Sequence, residues 1–261
     1  MAPDPQNYVS NHLLTTKSLP VAQTWLSQFF SSQRAGITPL SALTQTALFR
    51  LLASDFTTSL EATTQSQILP ADISDPTVRE RRICGPIPLQ VLDIEDIGSS
   101  LWSQVEAIEK IERGEESRGR EIIRTVTRDE SGDVAAASSN STSNTANISG
   151  TNNSNVAGAR NTSSSSTASG GPHRLVLQDA KGTRVVAIEF KRVEEVGVGK
   201  MSIGAKMVVK NATVARGMLL LEPSCVSVLG GRIDGMDKAW NDGRKARLLE
   251  RLEEQAAAEV T

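Results

Sequence analysis

Apolar residues recur at helical spacing twice near the start of the chain. After an entry at Ser18-Leu19-Pro20, residues Ala22, Trp25, Leu26, Phe29 and Phe30 fall at i, i+3, i+4, i+7 and i+8, the stripe of an amphipathic helix. Gly36 and Thr38-Pro39 interrupt it, and Leu40, Leu43, Ala47, Leu48, Leu51 and Leu52 renew it to about Asp55. The pattern predicts a helical hairpin with a short third helix near Asp55 to Thr58. Residues before Ser18 carry no such stripe and read as a frayed, polar start.

From Ile83 the period changes. Leu89, Val91, Asp93 and Glu95 alternate through Ile83 to Gly98, which predicts an opening strand. Ser99 or Ser100 can then cap a helix carrying Leu101, Trp102, Val105, Ile108 and Ile111. Glu121 to Thr127 has the β-branched content of another strand. Alternating runs at Arg174 to Gln178 and Arg184 to Phe190, joined by Asp179 to Gly182, predict a hairpin. Lys206 to Lys210 and Gly217 to Val228 supply further strands, and Pro223 implies an edge, a kink or a bulge in the latter. Gly230-Gly231 ends the sheet, and Asp234 can cap a last helix with Met236, Trp240, Leu248, Leu249 and Leu252.

Between Ser131 and Pro172 the periodicity vanishes: 24 of these 42 residues are Ser, Thr or Asn and 12 more are Gly or Ala. Such a stretch buries too little apolar area to offset its ordering entropy, so disorder is expected. The fold class predicted is α+β, an N-terminal helical bundle followed by a five-stranded barrel of the oligonucleotide/oligosaccharide-binding type (OB-fold), with a long insertion after the first strand and a C-terminal helix. The divisions fall at 1–66 for the bundle, 67–130 for the first part of the barrel with its insertion helix, 131–172 for the polar insert, 173–233 for the remaining barrel and 234–261 for the last helix.

Charge and composition then narrow the function. A net charge of -2 over 261 residues gives no global attraction to polyanions. Cys84 and Cys225 match no metal spacing and suit two buried thiols in a reducing compartment. No window resembles a signal peptide or a membrane span, so a cytosolic or nuclear protein is expected. Asp93, Glu95 and Asp96 could attract a divalent cation, but strand periodicity turns Asp96 away from the other two and makes them solvent-exposed strand-end residues. His12 and His173 fall in polar segments read as flexible. Neither a Walker loop nor a dinucleotide fingerprint occurs, and no cofactor, metal or catalytic group emerges. The Arg79, Arg81 and Arg82 cluster reads as a solvated face or as partners for nearby carboxylates, with a phosphate or partner contact as the other reading. Trp102 suits either a core contact of its helix or an anchor for a partner. The strands carry a single aromatic, Phe190, against ten Lys/Arg and five Asp/Glu from His173 to Ile233. That permits weak or indirect DNA contact without a base-stacking platform.

Four stretches resemble one family: Leu69-Pro70, GPIPLQVLDIEDIG at 85–98, LWSQVEAIEKIERGEESRGREIIR at 101–124, and KNATVARGMLLLEPSCVSVLGGRID at 210–234. They are similar to the RecQ-mediated genome instability proteins of the Rmi type, in their short fungal form. The resemblance implies a non-catalytic nuclear scaffold that binds topoisomerase III and, with a RecQ-family helicase, dissolves double Holliday junctions. It also implies that the insertion, here Gly98 to Pro172, reaches the topoisomerase gate; this chain departs from a compact loop by carrying the 42-residue polar tract, which lacks anchors, so the charged, partly helical section Ser99 to Arg128 is taken as the engaging part. Trp102, Gln104, Glu109, Arg113, Arg120 and Arg124 are the partner-binding candidates on that section. The alternative is an autonomous single-stranded-DNA-binding module.

Overall fold

The computed structural model of the protein describes residues 4–33, 39–62, 64–117, 120–121 and 171–259. The helical region begins earlier than the apolar stripe does. Helix α1 spans Pro5–Lys17, with Pro5 at its first position and the Asp4 carboxylate accepting from the Gln6 N–H at 3.2 Å. It is an ordered helix because Val9 and Leu13 are fully buried, although most of its surface is polar. His12 therefore lies on a helix rather than on a flexible lead. Helices α2 (Gln23–Ser31), α3 (Leu40–Leu52) and the single turn α4 (Phe56–Ser59) follow, and the Asp55 side chain caps the last. Leu13, Leu26, Phe29, Ala47, Leu51 and Phe56 form their shared core.

The strand expected over 83–98 is present as a strand over 87–96, and a separate short strand precedes it. Strand β1 (Glu80–Ile83) is separated from β2 (Ile87–Asp96) at Gly85-Pro86, where the chain presses on the linker: a Cβ on Gly85 would lie 2.3 Å from the Ser66 carbonyl oxygen. After β2 come α5 (Leu101–Glu112) and a two-stranded ribbon, β3 (Glu116–Ser117) with β4 (Arg120–Glu121). Residues 122–130 and the polar tract, apart from its last two residues, lie outside the described residues. The sheet resumes with β5 (His173–Gln178), β6 (Arg184–Glu189), β7 (Lys206–Val209), β8 (Ala212–Ala215), β9 (Met218–Leu221) and β10 (Val226–Gly230), and α6 (Asp234–Glu259) closes the chain.

Strand order is β1-β8-β9-β6-β5-β2-β7-β10. The run expected over 217–228 is broken at Pro223, so β9 pairs in parallel with β6 while β10 pairs antiparallel with β7. These consecutive segments act as one kinked strand that closes the barrel over β2, β5, β6 and β7. Strands β1 and β8 extend the sheet beyond β9 and were not anticipated at Ala212 to Ala215, a stretch too short to show its period. The barrel interior is filled by inward residues such as Leu89, Val91, Leu175, Leu177, Ala187 and Leu219. Both flanks of β2 are occupied, by β5 and β7, so it is a central strand and not an edge.

Polar groups tie the bundle to the barrel. The Gln90 side-chain oxygen accepts from the Phe56 N–H at 3.0 Å, and the Lys206 ammonium sits 5.0 Å from the Phe56 ring centroid. Gly231 meets α3, since a Cβ there would lie 2.4 Å from the Leu52 carbonyl. Fully buried Asp179, at the hairpin turn, accepts from the N–H groups of Leu69, Lys181 and Thr183 at 2.8, 3.0 and 2.8 Å. One carboxylate thus shapes the turn and pins the linker. Arg81 pairs with Asp72 at 2.8 Å, the carboxylate role expected of that cluster. Cys225 is buried, but Cys84 is exposed, because the break after β1 turns it outward.

Candidate partner interface

The insertion leaves and re-enters the barrel through a built root. Strand β2 ends at Asp96, whose carboxylate is 2% exposed and accepts from Gly98 N–H at 2.8 Å, Ser99 N–H at 3.1 Å and Ser99 Oγ at 2.7 Å. This is an Asx-type turn, in which a short carboxylate replaces the lost sheet partner. Gly98 and Gly171 touch: a Cβ on Gly98 would lie 2.3 Å from Gly171 Cα, so no other residue fits there. The Ile97 N–H donates to the Pro172 carbonyl at 3.1 Å, bringing both ends of the insertion side by side. Asp96 is therefore not an exposed strand-end residue.

The root carries α5 in a fixed pose. Ser100 caps it, accepting from Ser103 N–H at 3.1 Å. Gln104 turns inward, 7% exposed, and its amide donates to the carbonyls of Asp96 at 2.9 Å and Ser99 at 3.2 Å. Its side chain orients the helix on its root and is not available to a partner, a role its polar type in an outward-reading pattern did not suggest. Val105 packs inward beside it, and Leu248 of α6 is buried as well. Lys245 of α6 pairs with Glu112 at 2.7 Å and Glu109 at 3.3 Å, and its amine is pushed above the usual lysine range chiefly by the hydrogen bond to Glu112.

Trp102, Glu106, Glu109 and Arg113 lie at i, i+4, i+7 and i+11, one side of the helix. Trp102 is 66% exposed, so the core reading of this residue is set aside. Arg113 bonds Glu115 at 3.1 Å, which raises its guanidinium pKa, and lies 3.7 Å from Glu109. Arg120 opens β4 beyond the helix, and Arg124 lies outside the described residues. Of the six candidates, the structure thus gathers Trp102, Glu109 and Arg113 on one side of α5, turns Gln104 inward and sets Arg120 on the adjoining ribbon.

A cleft of about 510 Å³ lies between α6 and the end of β2. The Trp240 indole N–H donates to Asp93 at 2.6 Å, and the Arg244 and Arg247 guanidinium carbons stand 5.7 and 5.5 Å from its ring centroid. Glu95 is held between Arg174, at 3.4 Å, and Arg251. The β2 carboxylates thus dock the last helix, a role their spacing on the strand could not reveal. His173, read as part of a flexible segment, starts β5 at 2% exposure with its ring Nδ1 2.5 Å from the buried Glu189 carboxylate. Phe190 is 63% exposed, just beyond β6. Among the described residues, no group of three or more His, Cys, Asp or Glu side chains is placed to hold a metal ion, and no helix is long and apolar enough to cross a membrane.

Residues 69–244 match the family model of the RMI1 N-terminal OB-fold domain, and residues 13–59 match that of the RMI1 N-terminal helical domain. The chain is also 28% identical over 250 residues to RecQ-mediated genome instability protein 1 of Schizosaccharomyces pombe, with 92% of each chain covered.

Proposed function

The chain belongs to the RMI1 family, through both its helical and its OB-fold regions, and on that premise we propose that it serves genome stability as a non-catalytic nuclear subunit of a RecQ helicase complex. Its direct partner in this reading is a type IA topoisomerase, topoisomerase III, gripped by the barrel and by the insertion that follows β2. The helicase and topoisomerase perform the strand separation and passage that dissolve double Holliday junctions. This chain contributes position.

The observation that carries the reading is an exposed indole on a rigid mount. Trp102 stands 66% exposed on a helix whose root is fastened by Asp96 and Gln104 and whose flank is salt-bridged to α6. An aromatic side chain held so, with its mount already ordered, can be buried by a partner at little further entropic cost. Glu109 and Arg113 on the same side of α5 would sit at the rim of such a contact, where charges set orientation more than affinity.

The test is capture of purified topoisomerase III by the full-length chain, followed by titration with Trp102→Ala. Truncating a central aromatic anchor costs about 2 kcal/mol, roughly a 30-fold loss of affinity. Failure of the wild-type chain to bind would remove the topoisomerase reading. Unchanged affinity of the variant would remove α5 from the interface.

A further inference from the structure

A second surface lies on the outer face of strands β5, β6 and β9. Strands β5, β6, β9 and β8 place their inward residues in the core, so alternate residues face out. Register aligns these outward residues in rows: Val176 faces Val186, which faces Met218, and beside them Ile188 faces Leu220. Arg174 faces Ile188 and Gln178 faces Arg184 at the two ends of the β5–β6 pair, and between them the outward positions of the three strands form a half-buried aliphatic patch where an exposed sheet face would ordinarily be polar. Phe190, 63% exposed, and Met218, 37% exposed, stand proudest on it.

The frame around this face is basic. Arg174 and Arg184 hold outward positions at its ends, Arg174 paired with Glu95 at 3.4 Å, and Lys191, paired with Glu222 at 2.9 Å, and Arg192 stand at its Phe190 margin. Arg184 begins β6, and Lys191 and Arg192 follow Phe190 directly. An apolar patch bounded by positive charge fits a partner that is apolar on one side and acidic at its margins.

The backbone restricts that partner further. Strand β5 is paired on both sides, by β2 and β6; β6 by β5 and β9; β9 by β6 and β8. No strand of this face has a free edge to which an extended peptide could add. A visiting chain must satisfy its own backbone hydrogen bonds, which a helix does. Single-stranded nucleic acid also carries negative charge, but it needs stacking surfaces, and Phe190 is the lone ring among aliphatic side chains here.

We propose that the outer face of β5, β6 and β9 is a docking surface for an acidic amphipathic helix of a protein partner, seated on Val186, Ile188, Leu220, Met218 and Phe190. It is separate from the α5 surface and can be occupied while Trp102 is engaged.

The test is selection of a phage-displayed library of 20-residue helical peptides on the full chain, with enriched sequences then synthesised and titrated. Enrichment of Asp/Glu-rich peptides with apolar residues at i, i+3, i+4 and i+7 is expected. Their affinity should fall at least tenfold on Phe190→Glu and on Met218→Glu and stay unchanged on Trp102→Ala, which separates this surface from the topoisomerase reading. Both substituted side chains are partly or largely exposed, and unchanged thermal melting would establish that the fold is kept. Absence of enrichment, enrichment of basic peptides, or equal binding to the glutamate variants would overturn the proposal. So would a fluorescent 20-nucleotide poly-dT that binds the chain and is displaced by the selected peptides but loses affinity on Phe190→Ala, since that outcome assigns the face to nucleic acid.

Discussion

Lys206 is a cation in an apolar place. It lies on β7 with no solvent exposure, its ammonium over the Phe56 ring and donating to the Gly204 carbonyl. Burial pushes its pKa down from 10.5 to about 8, and the Asp55 charge opposes the shift only in part. Because the folded protein holds this proton less tightly than the unfolded chain, the penalty is fully present below about pH 8. It is relieved as pH rises toward 10.5. A depression of that size corresponds to about 3 kcal/mol of differential stability, at 1.36 kcal/mol per unit. Lys206→Met removes the charge and keeps the length of the side chain. Urea denaturation of both proteins between pH 7 and 10 is the assay, with the difference between their pH profiles as the readout, so that other titrating groups cancel. Wild type should gain up to about 3 kcal/mol relative to the variant from pH 7 to 10. Parallel profiles would refute the reasoning, because they would mean that the ammonium is as well solvated folded as unfolded.

Substitutions at Asp96, Asp179 and Gly204, with Asp179→Asn and Gly182→Ala as comparisons, probe the frame. Asp96→Ala leaves the Gly98 and Ser99 N–H donors without their acceptor and should cost about 2–4 kcal/mol, read as a lower denaturant midpoint with faster hydrogen exchange at those amides. Asp179→Ala orphans three backbone donors at the junction of linker and hairpin, for a loss of about 3 kcal/mol that Asp179→Asn should partly restore. Gly204→Ala combines a backbone φ of +83° with a Cβ 2.6 Å from the Ile233 nitrogen, so its melting temperature should fall well below that of Gly182→Ala. Gly182 has a similar φ of +92°, but its nearest neighbour would be 3.7 Å away, leaving a conformational cost of only about 1 kcal/mol.

Legibility followed the reach of each interaction along the chain. Helices α2 and α3, the β5–β6 hairpin and the onset of α6 are written in periodicity and local caps, and each stands within a few residues of where its pattern places it. Helix α1 escaped because only Val9 and Leu13 are fully buried, too few to draw a stripe. The kinked closing strand was half legible: Pro223 announced a break, but not that the two halves serve different neighbours. The chemistry of the site was less legible than the fold. Asp93, Glu95 and Asp96 read alike as strand-end acids, yet one accepts from Trp240, 147 residues away, one is held by Arg174 and Arg251, and one is buried in the turn. Only the last had a local signal, since Asp96-Ile-Gly-Ser99 has the composition of an Asx turn.

Those three fates of adjacent acids decide how the insertion can act. If Asp93 and Glu95 merely faced solvent, α6 would have no polar seat on β2, and α5, which leans on α6 through Lys245, would lose its lateral support. If Asp96 faced solvent, Gly98 and Gly171 would have no anchor holding the two ends of the insertion in contact. As built, a force applied at Trp102 passes through α5 to a root and a flank that both end on the barrel's central strand. Helix α5 is therefore presented as part of the barrel rather than tethered to it, and a partner that binds the exposed indole gains a fixed orientation toward the OB-fold.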